Sequence, residues 1–90
     1  VIVESVARRW SIPPEEIKSR SRTRNTSMAR NVAIYLAKIL TNQSNLEIGA
    51  ALGGRSHATA SSSYRKIREK INEDEHLREE VNRLIRELKG

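Results

Sequence analysis

Cysteine and phenylalanine are absent, and aromatic residues make up only 3% of these 90 residues: Trp10, Tyr35 and Tyr64. Without cysteine there is neither a disulfide nor a thiolate metal site to staple the chain. A chain this short must build its own core, which is hard at this size. Val, Ile, Leu and Ala have to fill it, and these suit packed helices. No apolar run approaches the roughly 18 residues of a membrane span, and no secretory signal opens the chain. The absence of cysteine fits a cytoplasmic protein. The chain begins at Val1 rather than Met and reads as a piece of something longer. Ninety residues make one domain, residues 1–90.

Acid is missing from one stretch. From Lys18 to Arg30 there are five cations and no carboxylate. The net charge is +6, with a balance of +8 over residues 1–71 and −2 over residues 72–90. Such a one-sided basic region is the electrostatic footprint of a polyanion binder. Within it, "KSRSRTRN" puts a cation at every second position: Lys18, Arg20, Arg22 and Arg24. On a helix these side chains would splay around the axis, whereas in an extended segment they face one way. Residues 18–25 read as a basic loop presenting a comb of charge. The plain alternative is a solvated surface loop.

The rest reads as helices, with no alternating strand pattern and no internal repeat. Ile2, Val3, Val6, Ala7 and Trp10 form a helical stripe. Pro13 and Pro14 stop that helix, and Pro14 with Glu15 and Glu16 opens a short second one. A long helix is expected from Thr26 or Ser27 to Leu40, with Met28, Val32, Tyr35, Leu36 and Ile39 inward. Ser44 and Glu47 are spaced as a capping box opening a short helix to Leu52. Gly53 and Gly54 make a turn that needs positive φ. Ser56 caps a helix to about Ile71, with Ala60, Tyr64, Ile67 and Ile71 inward. Asn72 and Glu75 form another possible capping box, before a packing helix at about 74–89 with Leu77, Val81, Leu84 and Leu88 on its apolar face. The expected fold is all-α: a bundle of about six helices containing a helix-turn-helix at about 44–71.

Catalysis finds no support. The histidines are His57 and His76, and no carboxylate lies near "SHATASSS" to orient an imidazole. There is no H-E-x-x-H pattern and no G-x-x-x-x-G-K-[ST] loop, and "GAALGG" follows a helix rather than a strand. The expected site is a surface instead. In a helix-turn-helix the N-terminal end of the second helix enters the major groove. Here that end is "RSHATAS". Arg55 can pair with phosphate, His57 and Thr59 can reach base edges, and Ala58 and the Thr59 methyl can pack on thymine methyls. The plain alternative is an ordinary surface helix with small side chains.

"RNVAIYLAKILTNQSNLEIGAALGGRSHATASSSYRKI" resembles the C-terminal DNA-binding domain of the bacterial replication initiator family DnaA. The family signature reads approximately I-G-x-x-F-G-G-R-D-H-[ST]-T-V. Ile48, Gly49, Leu52, Gly53, Gly54, Arg55, Ser56, His57, Ala58, Thr59 and Ala60 stand at those places. The upstream "SRSRTRN…ARNVAIYLAK" resembles the family's basic loop and central helix. The resemblance implies that Arg22 enters the minor groove while Arg20 and Arg24 flank it on the backbone. It implies phosphate contacts from Lys38, Arg55, Asn45, Leu46 and Ser62. Base reading would fall to His57 and Thr59, with Ser56 and Ala58 beside them. Ser56 replaces the usual Asp, Ala58 the usual Ser or Thr, Ala60 the usual Val, and Ser62 a position often held by His.

The resemblance implies duplex DNA as partner, a TTATCCACA-like origin box as target, and replication initiation as setting. A DnaA-like tail of a transposase or another regulator, or a non-specific nucleic-acid binder, is the alternative. No cofactor is expected within these residues, and ATP would belong to a nucleotide-binding domain upstream. The asymmetric box implies a monomer, and the setting a cytoplasmic, nucleoid-associated protein. RNA binding is disfavoured by the shortage of aromatics for stacking. An acidic phospholipid surface is a further candidate partner, because Arg8, Arg9 and Trp10 end an amphipathic helix as interfacial helices often do. The competing reading puts Trp10 in the core.

Overall fold

The computed structural model describes all 90 residues as six helices and no strand. They are α1 (Ile2–Trp10), α2 (Pro14–Ile17), α3 (Arg24–Leu40), α4 (Asn45–Ala51), α5 (His57–Glu73) and α6 (Glu75–Lys89). Helix α3 is the axle of the bundle. It packs against α1, α2, α4 and α5, while α6 closes the far side over α1 and α5. The core is aliphatic, as the shortage of aromatics requires: Val6, Ile17, Val32, Ile34, Leu36, Ile48, Ile67 and Val81 are almost wholly buried.

The expected caps appear where a single local signal specifies them. Ser44 and Glu47 form a reciprocal capping box on α4. The Ser56 hydroxyl accepts from the Thr59 N–H and starts α5. Gly53 and Gly54 take φ of 93° and 76°, conformations that glycine adopts without a Cβ penalty.

Three sequence expectations are corrected. Helix α3 begins at Arg24 rather than Thr26 or Ser27, because the Thr23 hydroxyl accepts from the Thr26 N–H at 3.3 Å and acts as its N-cap. Asn72 caps nothing: α5 runs through it to Glu73. Asp74 ends α5 and opens α6 by itself, its carboxylate accepting from the Leu77 N–H at 3.0 Å. On α3, Ile39 is 41% exposed, whereas Ala29, Ala33, Ile34 and Ala37 are buried. The helix is covered on several sides at once, so its buried surface is wider than one stripe.

One aromatic stack ties α5 to the axle, and two ion pairs tie α1 to α6. Tyr35 of α3 stacks on Tyr64 of α5, with ring centroids 5.4 Å apart and planes 18° from parallel. Burial against that ring pushes the Tyr35 phenol upward. Between α1 and α6, the Arg9 guanidinium donates to the Glu80 carboxylate, and Arg8 reaches Glu87 at 3.4 Å. Trp10 is half-buried against the core, with the Arg9 guanidinium over its ring. The cations of α1 are therefore engaged with carboxylates of α6. No helix is long and apolar enough to cross a membrane.

Arg9 holds the Glu80 carboxyl below its ordinary range, with Arg83 and His76 adding smaller contributions in the same direction. A depressed carboxylate stabilises the fold above its unfolded pKa, near 4.3, and that stabilisation is lost as pH falls through the lower folded value. Glu80→Gln should cost on the order of 1 kcal/mol at neutral pH and progressively less below about pH 4. Urea midpoints measured across pH 2.5–7 check this, and a constant gap between variant and parent would contradict the assignment.

Candidate nucleic-acid interface

The basic loop explains its own alternating sequence. Its odd positions are the anchors. Ser19 Oγ donates to the Glu16 carbonyl at 2.7 Å, and the Ser21 N–H donates to Ser19 Oγ at 3.1 Å. Thr23 caps α3. The intervening Arg20 and Arg22 are exposed. Local hydroxyl–backbone bonds of this kind hold a chain that belongs to neither helix nor sheet. The comb has two teeth in the loop rather than four. Lys18 is the C-cap residue of α2, in a helical conformation, and Arg24 lies in the first turn of α3.

The loop lies against the helix-turn-helix. One cleft is lined by Arg20, Ser21, Arg22 and Arg30 from one side and by Gly53, Gly54, Arg55 and Thr59 from the other. No apolar residue and no carboxylate lines it. The two sides meet backbone to backbone. A methyl group on Gly53 would overlap the carbonyl oxygen of Lys18, and one on Gly49 would overlap that of Arg55. The Arg55 N–H donates to the Gly49 carbonyl at 2.7 Å, which draws the start of α5 onto α4.

Electrostatically the cleft is strongly positive. Burial, and secondarily Arg20, lower the Arg55 pKa; burial and then Arg55 lower that of Arg30, partly offset by Glu16. These guanidinium groups remain charged throughout the physiological range. The first turns of α3 and α5 contain no acidic residue to complement their N-terminal dipoles. Cations gathered with this little compensation favour an anionic ligand.

The sequence-predicted residues divide between the cleft and its surroundings. Arg20, Arg22, Arg55 and Thr59 line the cleft. Ser56, His57 and Ala58 are exposed on the adjoining start of α5. Lys38 is exposed in the last turn of α3, and Asn45 and Leu46 open α4, with Leu46 65% exposed. Ser62 is half-buried one turn further along α5. None of Arg24, Lys38, Asn45, Leu46 or Ser62 lines the cleft. Arg55 has an internal task as well, donating to the carbonyls of Leu52 and, at 2.7 Å, Ser19.

Sequence reasoning missed Arg30 and the packing role of Gly49. Arg30 is 7% exposed. The sequence pattern did not mark it: Arg30 lies across α3 from the expected stripe of Met28, Val32, Tyr35, Leu36 and Ile39, on a side with Thr26 and Ile34 that only the fold shows to be buried. Gly49 was readable as a lone glycine inside a helical pattern, which usually has a packing reason.

A helix-turn-helix whose second helix begins beside a carboxylate-free basic loop defines a DNA-binding helix-turn-helix domain. The chain belongs to the bacterial DnaA helix-turn-helix family: the family described as "Bacterial dnaA protein helix-turn-helix" matches residues 1–67. It is similar to proteins named chromosomal replication initiator protein DnaA from Streptococcus pyogenes serotypes M5 (strain Manfredo), M1 and M18 (strain MGAS8232). Each is 38% identical over 88 residues, which is 98% of this chain and 20% of the relative. The chain thus spans about a fifth of the length of the curated relatives it matches.

The two turn glycines separate sterics from backbone preference. At Gly54 a Cβ meets nothing within 4 Å, so Gly54→Ala bears only the left-handed cost, about 1–2 kcal/mol. Gly53→Ala adds the overlap with Lys18, worth about 1–3 kcal/mol more. Chemical denaturation of the two variants measures the difference, and equal losses would mean that the loop is not seated on the turn.

Proposed function

We propose that this domain grips a specific duplex DNA site in two grooves, as part of a protein that initiates or regulates chromosomal replication. The observation that carries the reading is the shared cleft, which joins Arg20 and Arg22 of the loop to Arg55 and Thr59 of the helix-turn-helix. In this reading the first turn of α5 enters the major groove. His57 and Thr59 read base edges there, with Ser56 and Ala58 beside them. Arg22 enters the neighbouring minor groove, where a narrow A·T-rich stretch concentrates negative potential. Arg20, Arg24, Lys38, Arg55 and Ser62, with the backbone at Asn45 and Leu46, take the phosphates. Three relatives bear the name of replication initiator, which is the reason for choosing that setting. One arm and one helix-turn-helix suffice for an asymmetric site, so the domain binds as a monomer. Any nucleotide chemistry belongs outside these 90 residues.

Ser56 bears on which bases are read. Its hydroxyl accepts from the Thr59 N–H and lies 3.1 Å from Thr59 Oγ1, a second hydrogen bond within the same turn. A hydroxyl so engaged discriminates bases less sharply than an aspartate accepting from cytosine N4. The favoured box is therefore relaxed at the base pair that faces Ser56.

Selection from a random duplex pool at near-physiological salt tests the reading. Enrichment of a TTATCCACA-like motif, degenerate at one or two positions, is the expected result. A different motif would keep the grip but reassign the setting, and no enrichment would leave only a non-specific basic domain. Against the enriched site, Arg22→Ala and His57→Ala should each weaken binding by about 1–3 kcal/mol, while Lys38→Ala should weaken all duplexes alike. Arg20→Ala should also reduce the slope of log K against log salt by about one.

A further inference from the structure

Arg30 stands apart from the residues just assigned to DNA. It is nearly buried, at 7% exposure, yet it pairs with no carboxylate. Its donors go to main-chain carbonyls instead. Nε donates to Ile17 at 2.7 Å; Nη2 donates to Ser19 at 2.9 Å and, at a longer 3.4 Å, to Glu16. The Ser19 carbonyl also accepts from Arg55 Nη2 at 2.7 Å. One oxygen thus receives two guanidinium groups, one from the middle of α3 and one from the turn before α5. A planar guanidinium presents several donors in fixed directions, and a lysine ammonium cannot reproduce that span.

The position of that oxygen gives the arrangement its consequence. Ser19 immediately precedes Arg20 and lies three residues before Arg22. Thr23, on the other side, is fixed as the cap of α3. Residues 20–22 are therefore a short span between two anchors. They also carry two like charges facing Arg55 across the cleft, and repulsion alone would drive that loop away from the turn.

We infer that Arg30, together with Arg55, clamps the Ser19 carbonyl and so holds the basic loop against the helix-turn-helix turn before DNA arrives, which makes Arg30 a positioning residue for Arg22. The inference rests on the reading that Arg22 contacts DNA. Its mechanical part concerns the free protein alone. Preorganisation of this kind lowers the ordering cost of binding, because the loop has less freedom left to lose.

The test uses Arg30→Gln and Arg30→Lys. Arg30→Lys keeps the charge and much of the buried stem, so it carries the test if the glutamine variant does not fold. The first readout is backbone 15N relaxation of residues 20–22 in the free domain. Raised mobility there, with the helices unchanged, is the expected result; a loop as ordered as in the parent overturns the inference. The second readout is a double-mutant cycle on the selected duplex. Arg30→Lys should weaken binding by a factor comparable to losing Arg22, about 5- to 150-fold. In that background Arg22→Ala should add less than about threefold, because coupled residues are not additive, while His57→Ala keeps its full effect. Full additivity of Arg30→Lys and Arg22→Ala would overturn the inference. If Arg22→Ala has no effect in the parent, the DNA reading fails, and the relaxation measurement alone then decides the clamp.

Discussion

The main-chain carbonyl of Ser19 is the point on which the packing of the basic loop against the helix-turn-helix depends. Arg30 reaches it from inside the bundle and Arg55 from the helix-turn-helix turn. Magnitudes indicate what this contact does. A hydrogen bond to a charged group contributes about 1.5–3 kcal/mol, and removing a guanidinium from water costs several kcal/mol. The terms largely cancel, so the arrangement adds little net stability. What remains is geometry: a loop with no regular structure of its own acquires one position relative to α5. An apolar residue at Arg30 would fill the same volume without specifying where residues 19–22 lie.

Close backbone approach reinforces that geometry. Gly53 lets the Lys18 carbonyl sit on the turn, and Gly49 lets the Arg55 carbonyl sit on α4. Both contacts exclude a Cβ, so they tolerate little sliding. The start of α5 at Ser56–Thr59 is built outward from them, with Ser56 capping the helix and Ala60 buried as its first inward residue. Small residues at that end leave the helix surface low enough to approach a base edge. The chemistry of the site is otherwise sparse. There is one imidazole, two hydroxyls and two methyls over the cap and first turn at Ser56–Thr59, set beside arginines that no carboxylate in the cleft offsets. Affinity in such a surface comes from charge, and discrimination from a few contacts that charge holds in register.

Much of this was legible in the sequence because it is local. A capping box needs Ser44 and Glu47 three residues apart, and both are in view. Gly53-Gly54 implies positive φ, and alternating hydroxyls and cations mark a basic loop, although only Arg20 and Arg22 of the four expected cations stand in it while Lys18 and Arg24 belong to the flanking helices. Ambiguity arose where two residues of similar chemistry compete. Asn72 and Asp74 are both capable caps, and only the length of α5 decides between them. Thr23 was masked by the charges around it. The long helix was read as one-sided, which favoured Ile39 over Ile34, although packing by four neighbouring helices covers more than one face.

Arg30 illustrates a deeper reason for the gap. A charged residue on a helix is assumed to face water, because a buried charge is costly unless it is partnered. Here the partners are carbonyls of the main chain, which belong to every sequence and so leave no mark in any. The nearest of them to Arg30 in the chain is Ser19, 11 residues away, and Arg55 reaches the same atom across 36. No periodicity or spacing rule carries that information. The residues that present charge to a ligand announce themselves by type and pattern. Those that hold the presenting segment still can be recognised only once the fold has brought a carbonyl to them. In a domain whose basic loop lacks regular secondary structure, the second group decides whether the first acts as a surface or as separate charges.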